Sequence, residues 1–227
     1  MEECVIKPIA RMESDFATKF GIPRQAGIVN ELQSRIIFEP EYRDMEAFRG
    51  IEDFSHIWVI WQFSGNADRG WSPTVRPPRL GGNTRMGVFA TRSPFRPNAL
   101  GLSCLRLIRR EKDKELGPVL YVAGADLMDG TPIFDIKPYV PYADAHPEAS
   151  GGFAPDAGKK LNVEISPELE GKIPGEKLPA LRGVLSTDPR PRYQKDPERV
   201  YSMEFAGMDI KFTADEEKIK VISAEKA

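Results

Sequence analysis

SHIWVIWQF, residues 55–63, packs isoleucine, valine and tryptophan into nine positions and contains no glycine or proline. β-Branched and aromatic side chains fit the half-buried surface of a sheet better than the packed turns of a helix, so this segment is the clearest strand of the chain. On its N-terminal side, Asp44 is placed to cap a short helix, DMEAFRGIEDF, stopped near Gly50, and LQSRIIFEP and CVIKPIARM read as two earlier strands. On its C-terminal side MGVFA, LGLSCLRLI, VLYVAGA and TPIFDIKPYV read as four more, separated by the turn SPFRPN and the charged hairpin RREKDKELG. Many short strands with Gly/Pro turns predict a mainly β fold with a barrel-like core over residues 1–142. HPEASGGFAPDAGKK then marks a linker, 143–160, and residues 161–227 read as a small α+β unit: the strand LNVEIS, a short helix around LPALRGVL, and strands from VYSMEF and MDIKF through VIS.

The 227 residues, 41% of them hydrophobic, suffice for a real core. No apolar run reaches the roughly 18 residues of a membrane span, and the opening MEECVIKPIAR lacks the basic start of a secretory signal, so a soluble cytoplasmic protein is expected. Cys4 and Cys104 form no CxxC and have no neighbouring histidine, which leaves them as ordinary thiols and suggests no metal. His56, in an apolar strand, reads as a packed histidine, and Trp58, Trp61 and Phe63 as core or barrel lining. Glycine-rich nucleotide loops, HExxH and GxSxG are all absent.

A formal net charge of −2 hides an uneven distribution. From Arg69 to Arg110 there are nine arginines and no Lys, Asp or Glu. In VRPPRLGGNTR, residues 75–85, Pro77 and Pro78 stiffen a loop carrying Arg76, Arg79 and Arg85, whose forked guanidinium groups suit phosphate oxygens. Pairing with some of the chain's 34 acids is the alternative. GVFATRSPFRPN places Arg92 at a strand-to-loop junction, and DLMDGTPIFD carries Asp126, Asp129 and Asp135 around a turn. DPRPRY, 188–193, is a rigid polar cluster suited to substrate contact or to stopping a helix. The residues alone give a β-rich protein with an arginine loop for anionic ligands.

Taken together, IPRQAG (22–27), FRGIEDFSHIWVI (48–60), GWSPTVRPPRLGGNTRMGVFATRSPFRPNALG (70–101), DLMDGTPIFDIKPYVPYAD (126–144) and DPRPRY resemble the TsaA/YaeB, or TrmO-type, family of tRNA (adenine-37-N6)-methyltransferases. The resemblance implies a non-Rossmann barrel that binds S-adenosylmethionine, a homodimer, and methylation of N6-threonylcarbamoyladenosine at position 37 in the anticodon arm of tRNA. Carried over by position, it implies cofactor contacts at Pro23, Arg24, Gln25, Gln62, Phe63, Arg92, Leu102, Asp129, Gly130, Thr131 and Pro132. Asp188 and Tyr193 are then the candidates for assisting proton removal, with Arg190 and Arg192 holding the threonyl carboxylate or a phosphate. Arg76, Arg79 and Arg85 are left for tRNA. Residues 161–187, interrupted by Pro167, Pro174 and Gly175, are short where the better-known bacterial members imply a longer helix. A non-catalytic RNA-binding or regulatory barrel, and a methyltransferase acting on another RNA or a small molecule, are the competing readings.

Overall fold

The computed structural model describes residues 4–66, 70–191, 194 and 196–227. Ala10–Glu13 (β1), Gln33–Phe38 (β2) and His56–Gln62 (β3) are followed by the two-residue strands Thr74–Val75 (β4) and Met86–Gly87 (β5). Leu100–Asp113 (β6), Gly117–Ala123 (β7) and Pro132–Pro138 (β8) complete the first part of the chain. β1, β2, β7, β6, β3 and β8 close into a six-stranded barrel in that order, with antiparallel pairing throughout. Closure leaves no edge strand to template aggregation. The mainly β, barrel-centred fold expected from the sequence is the fold observed.

Period-two alternation decides what fills the barrel. Ile57, Val59 and Trp61 of β3 point inward and are buried, packing with Met12, Ile36, Leu105, Leu120, Val122 and Ile133. Trp58 is on the opposite face, tilted against Tyr139 at 5.8 Å between centroids, so of the strand's two tryptophans only Trp61 lines the barrel. His56 is partly buried, with Nδ1 2.9 Å from Ser55 Oγ.

Three expectations about local structure are corrected. DMEAFRGIEDF forms two 3-10 turns, Met45–Phe48 and Ile51–Asp53, rather than a helix. Asp44 does cap the first, accepting from the Glu46 N–H at 3.0 Å, but Gly50, at φ 81°, interrupts the run. MGVFA is not a barrel strand: β5 pairs only with β4 and passes into the 3-10 turn Val88–Ala90. Its would-be partner is bounded by Pro73, Pro77 and Pro78, which donate no ladder hydrogen bonds. The N-terminal strand begins at Ala10.

Beyond the helical turn Pro141–Asp144 (α1), the C-terminal residues form Asn162–Glu164 (β9), Pro167–Glu170 (α2), Leu178–Ser186 (α3), Tyr201–Phe205 (β10), Met208–Ala214 (β11) and Lys218–Lys226 (β12). The sheet order is β10–β11–β12–β9, with β9 parallel to β12. α3 buries Ala180, Leu181, Val184 and Leu185, a helical stripe laid on this sheet's core. The connection between β1 and β2 joins the same core through Phe16, Val29 and Leu32. Phe16 meets Phe205 edge-on at 5.5 Å, and Lys177 Nζ pairs with Asp15 at 2.7 Å. On its other side the connection is held to the end of β7 by Gly27 N–H donating to Gly124 O at 2.9 Å. Both glycines have φ 76°, and a Cβ on Gly124 would press on the Gly27 backbone. The segment IPRQAG is thereby fixed between barrel and C-terminal sheet.

Candidate cofactor cleft and nucleic-acid surface

A cleft of about 460 Å³ opens where β3 ends and β6 begins. Its walls come from residues 22–25, from Trp61, Gln62 and Phe63, from Thr91, Arg92 and Arg96, from Gly101 and Leu102, and from Asp126, Met128 and Thr131. The β3–β6 register sets Trp61 opposite Gly101. A Cβ on Gly101 would overlap the indole ring, so glycine at this position is what lets Trp61 lie against β6. The indole N–H donates to Ser103 Oγ at 3.0 Å, and Ser103 in turn donates to Asp126 Oδ1 at 2.6 Å. Trp61 also meets Phe63 edge-on at 4.4 Å, giving the cleft an aromatic wall.

Among the described residues lining the cleft, Asp126 is the one acid, alongside Lys19, Arg24, Arg92 and Arg96. Burial pushes the Asp126 carboxyl above the ordinary carboxylate range. The hydrogen bond from Ser103, backbone N–H groups of Asp126 itself and Ala26, and the positive charge of Arg92 pull the other way. Arg92 is engaged by Gln25 Oε1, Arg96 by the Thr91 carbonyl at 2.7 Å, and Lys19, among its contacts, by the Gly65 carbonyl. Arg24 reaches the carbonyls of Asp188 and Arg190 at 3.4 Å each, joining the cleft to DPRPRY.

In that segment Asp188 follows α3 in left-handed conformation, φ 53°. Arg190 is 7% exposed, and its guanidinium donates to both Asp188 carboxylate oxygens and to the carbonyls of Ala214 and Asp215 at 2.6 Å each. Four hydrogen bonds leave this side chain committed to shaping the turn. Arg192 and Tyr193 lie outside the described residues.

With this geometry in view, the comparisons with known proteins are specific. The tRNA-methyltransferase O N-terminal domain model matches residues 11–145, and the TrmO C-terminal domain model matches residues 158–227. The chain belongs to the TrmO family. It is 37% identical over 234 residues to the tRNA (adenine(37)-N6)-methyltransferase of Escherichia coli (strain K12), covering 99% of each chain. It is 38% identical over 213 residues to a putative S-adenosylmethionine-dependent methyltransferase, RcsF, of Pseudomonas aeruginosa, covering 90% of each. The crystal structure of TrmO from Pseudomonas aeruginosa superposes with a TM-score of 0.79 at 30% identity, covering 98% of each chain. The family resemblance drawn from the sequence motifs is thus confirmed.

Of the residues that the TrmO resemblance assigns to the cofactor, the structure brings Pro23, Arg24, Gln25, Gln62, Phe63, Arg92, Leu102 and Thr131 to one cleft. Asp129, Gly130 and Pro132 are not among its lining. The Asp129 carboxylate accepts from the Ser14 N–H at 2.9 Å, while the Asp129 and Gly130 N–H groups donate to Phe16 and Met12. That turn staples β8 to the β1–β2 connection. Asp126, three residues earlier, is the carboxylate that reaches the cleft, and motif transfer missed it. Of the loop arginines, Arg76 and Arg85 are exposed, whereas Arg79 pairs with Asp156. The described residues contain no group of three or more His, Cys, Asp or Glu placed to hold a metal ion, and no helix long and apolar enough to cross a membrane.

Proposed function

We propose that this chain transfers the methyl group of S-adenosylmethionine to N6 of N6-threonylcarbamoyladenosine at position 37 of tRNA, with the cleft beside Trp61 holding the methyl donor. Methylation at adenine 37 N6 is the activity for which the Escherichia coli relative, matched over 99% of both chains, is named. The observation that carries the reading is the convergence of IPRQAG, the end of β3, Arg92 and the start of β6 on one cleft with an aromatic wall, cations and, among the described residues, one carboxylate. S-Adenosylmethionine presents an adenine, a carboxylate, an ammonium and a sulfonium, and each has a complementary group there. Arg92 is the partner for its carboxylate.

N6 of the modified adenosine is a poor nucleophile, because its lone pair is delocalised into the purine and the carbamoyl group. Transfer needs N6, the methyl carbon and the sulfonium in line, with the sulfur leaving as a neutral thioether and N6 losing its proton. Arg24 ties the cleft to residues 188–190, which supports DPRPRY as the lip over which adenine 37 enters. Asp188 and Tyr193 are assigned to the proton, and Arg192 to the threonyl carboxylate. Arg190, with its guanidinium committed to Asp188, Ala214 and Asp215, is assigned to positioning Asp188.

Residues 1–142 serve in this reading as the cofactor-binding barrel, and 161–227 as the unit that helps grip the anticodon arm. Leu100 and Leu102 in the cleft wall are 37% and 55% exposed, and Trp71 and Phe89 of the arginine-rich segment 57% and 76%, apolar surface that supports a homodimer. A cytoplasmic location follows from the substrate. Wild-type protein incubated with methyl-labelled S-adenosylmethionine and tRNA should label adenine 37. Arg76→Ala with Arg85→Ala should weaken tRNA binding and reduce the salt slope of log affinity by about one to two. Absence of label on any tRNA would contradict the assignment.

A further inference from the structure

Asp126 has a role that neither the family motifs nor the transfer step assigns. Its carboxylate lines the cleft, makes no ion pair among the described residues, and is fixed by Ser103 at 2.6 Å, itself fixed by the Trp61 indole at 3.0 Å. A charged group so enclosed is costly unless something positive arrives to compensate it. Arg92 acts on it across the cleft but is joined to Gln25, and in the reading above its charge is met by the ligand's own carboxylate. That leaves the carboxylate of Asp126 facing the ligand's two positive charges, the ammonium, which donor and product share, and the sulfonium, which only the donor carries.

We propose that Asp126 is the specificity-determining counter-charge that distinguishes the sulfonium form of the cofactor from its neutral thioether product. The inference rests on the cleft being the cofactor site. Donor and product share the adenosine and the zwitterionic amino-acid head, and differ by one methyl group and one unit of positive charge at sulfur. In a cleft of about 460 Å³ every part of a bound ligand is close to the carboxylate, on the scale of the roughly 8 Å over which salt screens exposed charges. When the methyl group moves to N6, the charge that Asp126 attracts disappears. The same side chain therefore favours donor binding and product release. Ser103 and Trp61 act through it, by holding one carboxylate oxygen in place.

Calorimetry on the full chain tests this with three ligands: S-adenosylmethionine, S-adenosylhomocysteine, and an analogue in which a protonated amine replaces the sulfonium. Wild type should bind both cations at least about tenfold more tightly than the thioether, the size expected for a unit charge at moderate distance in a partly screened cleft. Asp126→Asn, which keeps the shape and removes the charge, should bring the ratio close to one by weakening the cations. A wild type that binds the donor but ranks the thioether equal to it overturns the proposal without needing the variant. A folded Asp126→Asn protein that keeps the wild-type ratio, or loses all three ligands equally, overturns it as well. If wild type binds none of the three, the cofactor reading of the cleft fails and this inference falls with it.

Discussion

Arg92→Ala is expected to weaken S-adenosylmethionine binding by about ten- to a hundredfold, the usual worth of a hydrogen bond between charged groups. The side chain is exposed at the cleft and its guanidinium is already oriented by Gln25, so little ordering remains for the ligand to impose. Its loss should leave the thermal midpoint nearly unchanged, because no core residue contacts depend on it. Calorimetry with the wild type and Arg92→Ala decides the matter, and equal affinity would remove Arg92 from the site.

Gly101→Ala is the second large effect. The added methyl would overlap the Trp61 indole, which is itself 8% exposed and cannot swing aside without leaving Ser103. Overpacking of this kind costs about 1–3 kcal/mol. The ring's displacement should also release Asp126 and lower affinity for the methyl donor. Adding Trp61→Phe to Gly101→Ala supplies a smaller ring and should recover part of the stability, read by chemical denaturation, without recovering affinity, since phenylalanine cannot donate to Ser103. Wild-type stability and affinity in Gly101→Ala would show that the register of β3 against β6 does not shape the cleft.

The barrel was legible because its strands carry their own signal. β3 alternates as its sequence says, and β6, β7 and β8 lie where LGLSCLRLI, VLYVAGA and TPIFDIKPYV place them. MGVFA misled because β-propensity is local, whereas a strand needs a partner, and the prolines around β4 leave it one of two residues. The corresponding limit at the site is Asp126. Composition offered three acids around one turn, and only the fold separates Asp129, spent on the Ser14 N–H, from Asp126 in the cleft wall. The strand alternation could not have told them apart, because β7 ends at Ala123 and Gly124, at φ 76°, resets the phase so that Ala125 and Leu127 enter the barrel core on either side of Asp126. Arg190 shows the reverse difficulty. Its neighbours in sequence are polar, so it reads as surface, but the carbonyls of Ala214 and Asp215 that enclose it come from a strand end more than twenty residues away.

The arginines of residues 69–110 also divide only in three dimensions. Arg92 and Arg96 turn to the cleft, Arg79 is held by Asp156, Arg109 lies over the Tyr121 ring at 3.6 Å, and Arg76 and Arg85 stay exposed. A charge run in sequence thus resolves into cleft-facing, structural and outward-facing members, and the last are the ones proposed for a phosphate backbone.

The most direct test of the whole account is transfer of labelled methyl from S-adenosylmethionine to two preparations of one tRNA, identical except that adenosine 37 carries or lacks the threonylcarbamoyl group. The account predicts label on N6 of the modified nucleoside and none on the unmodified tRNA. Equal labelling of both, or of neither, would contradict it.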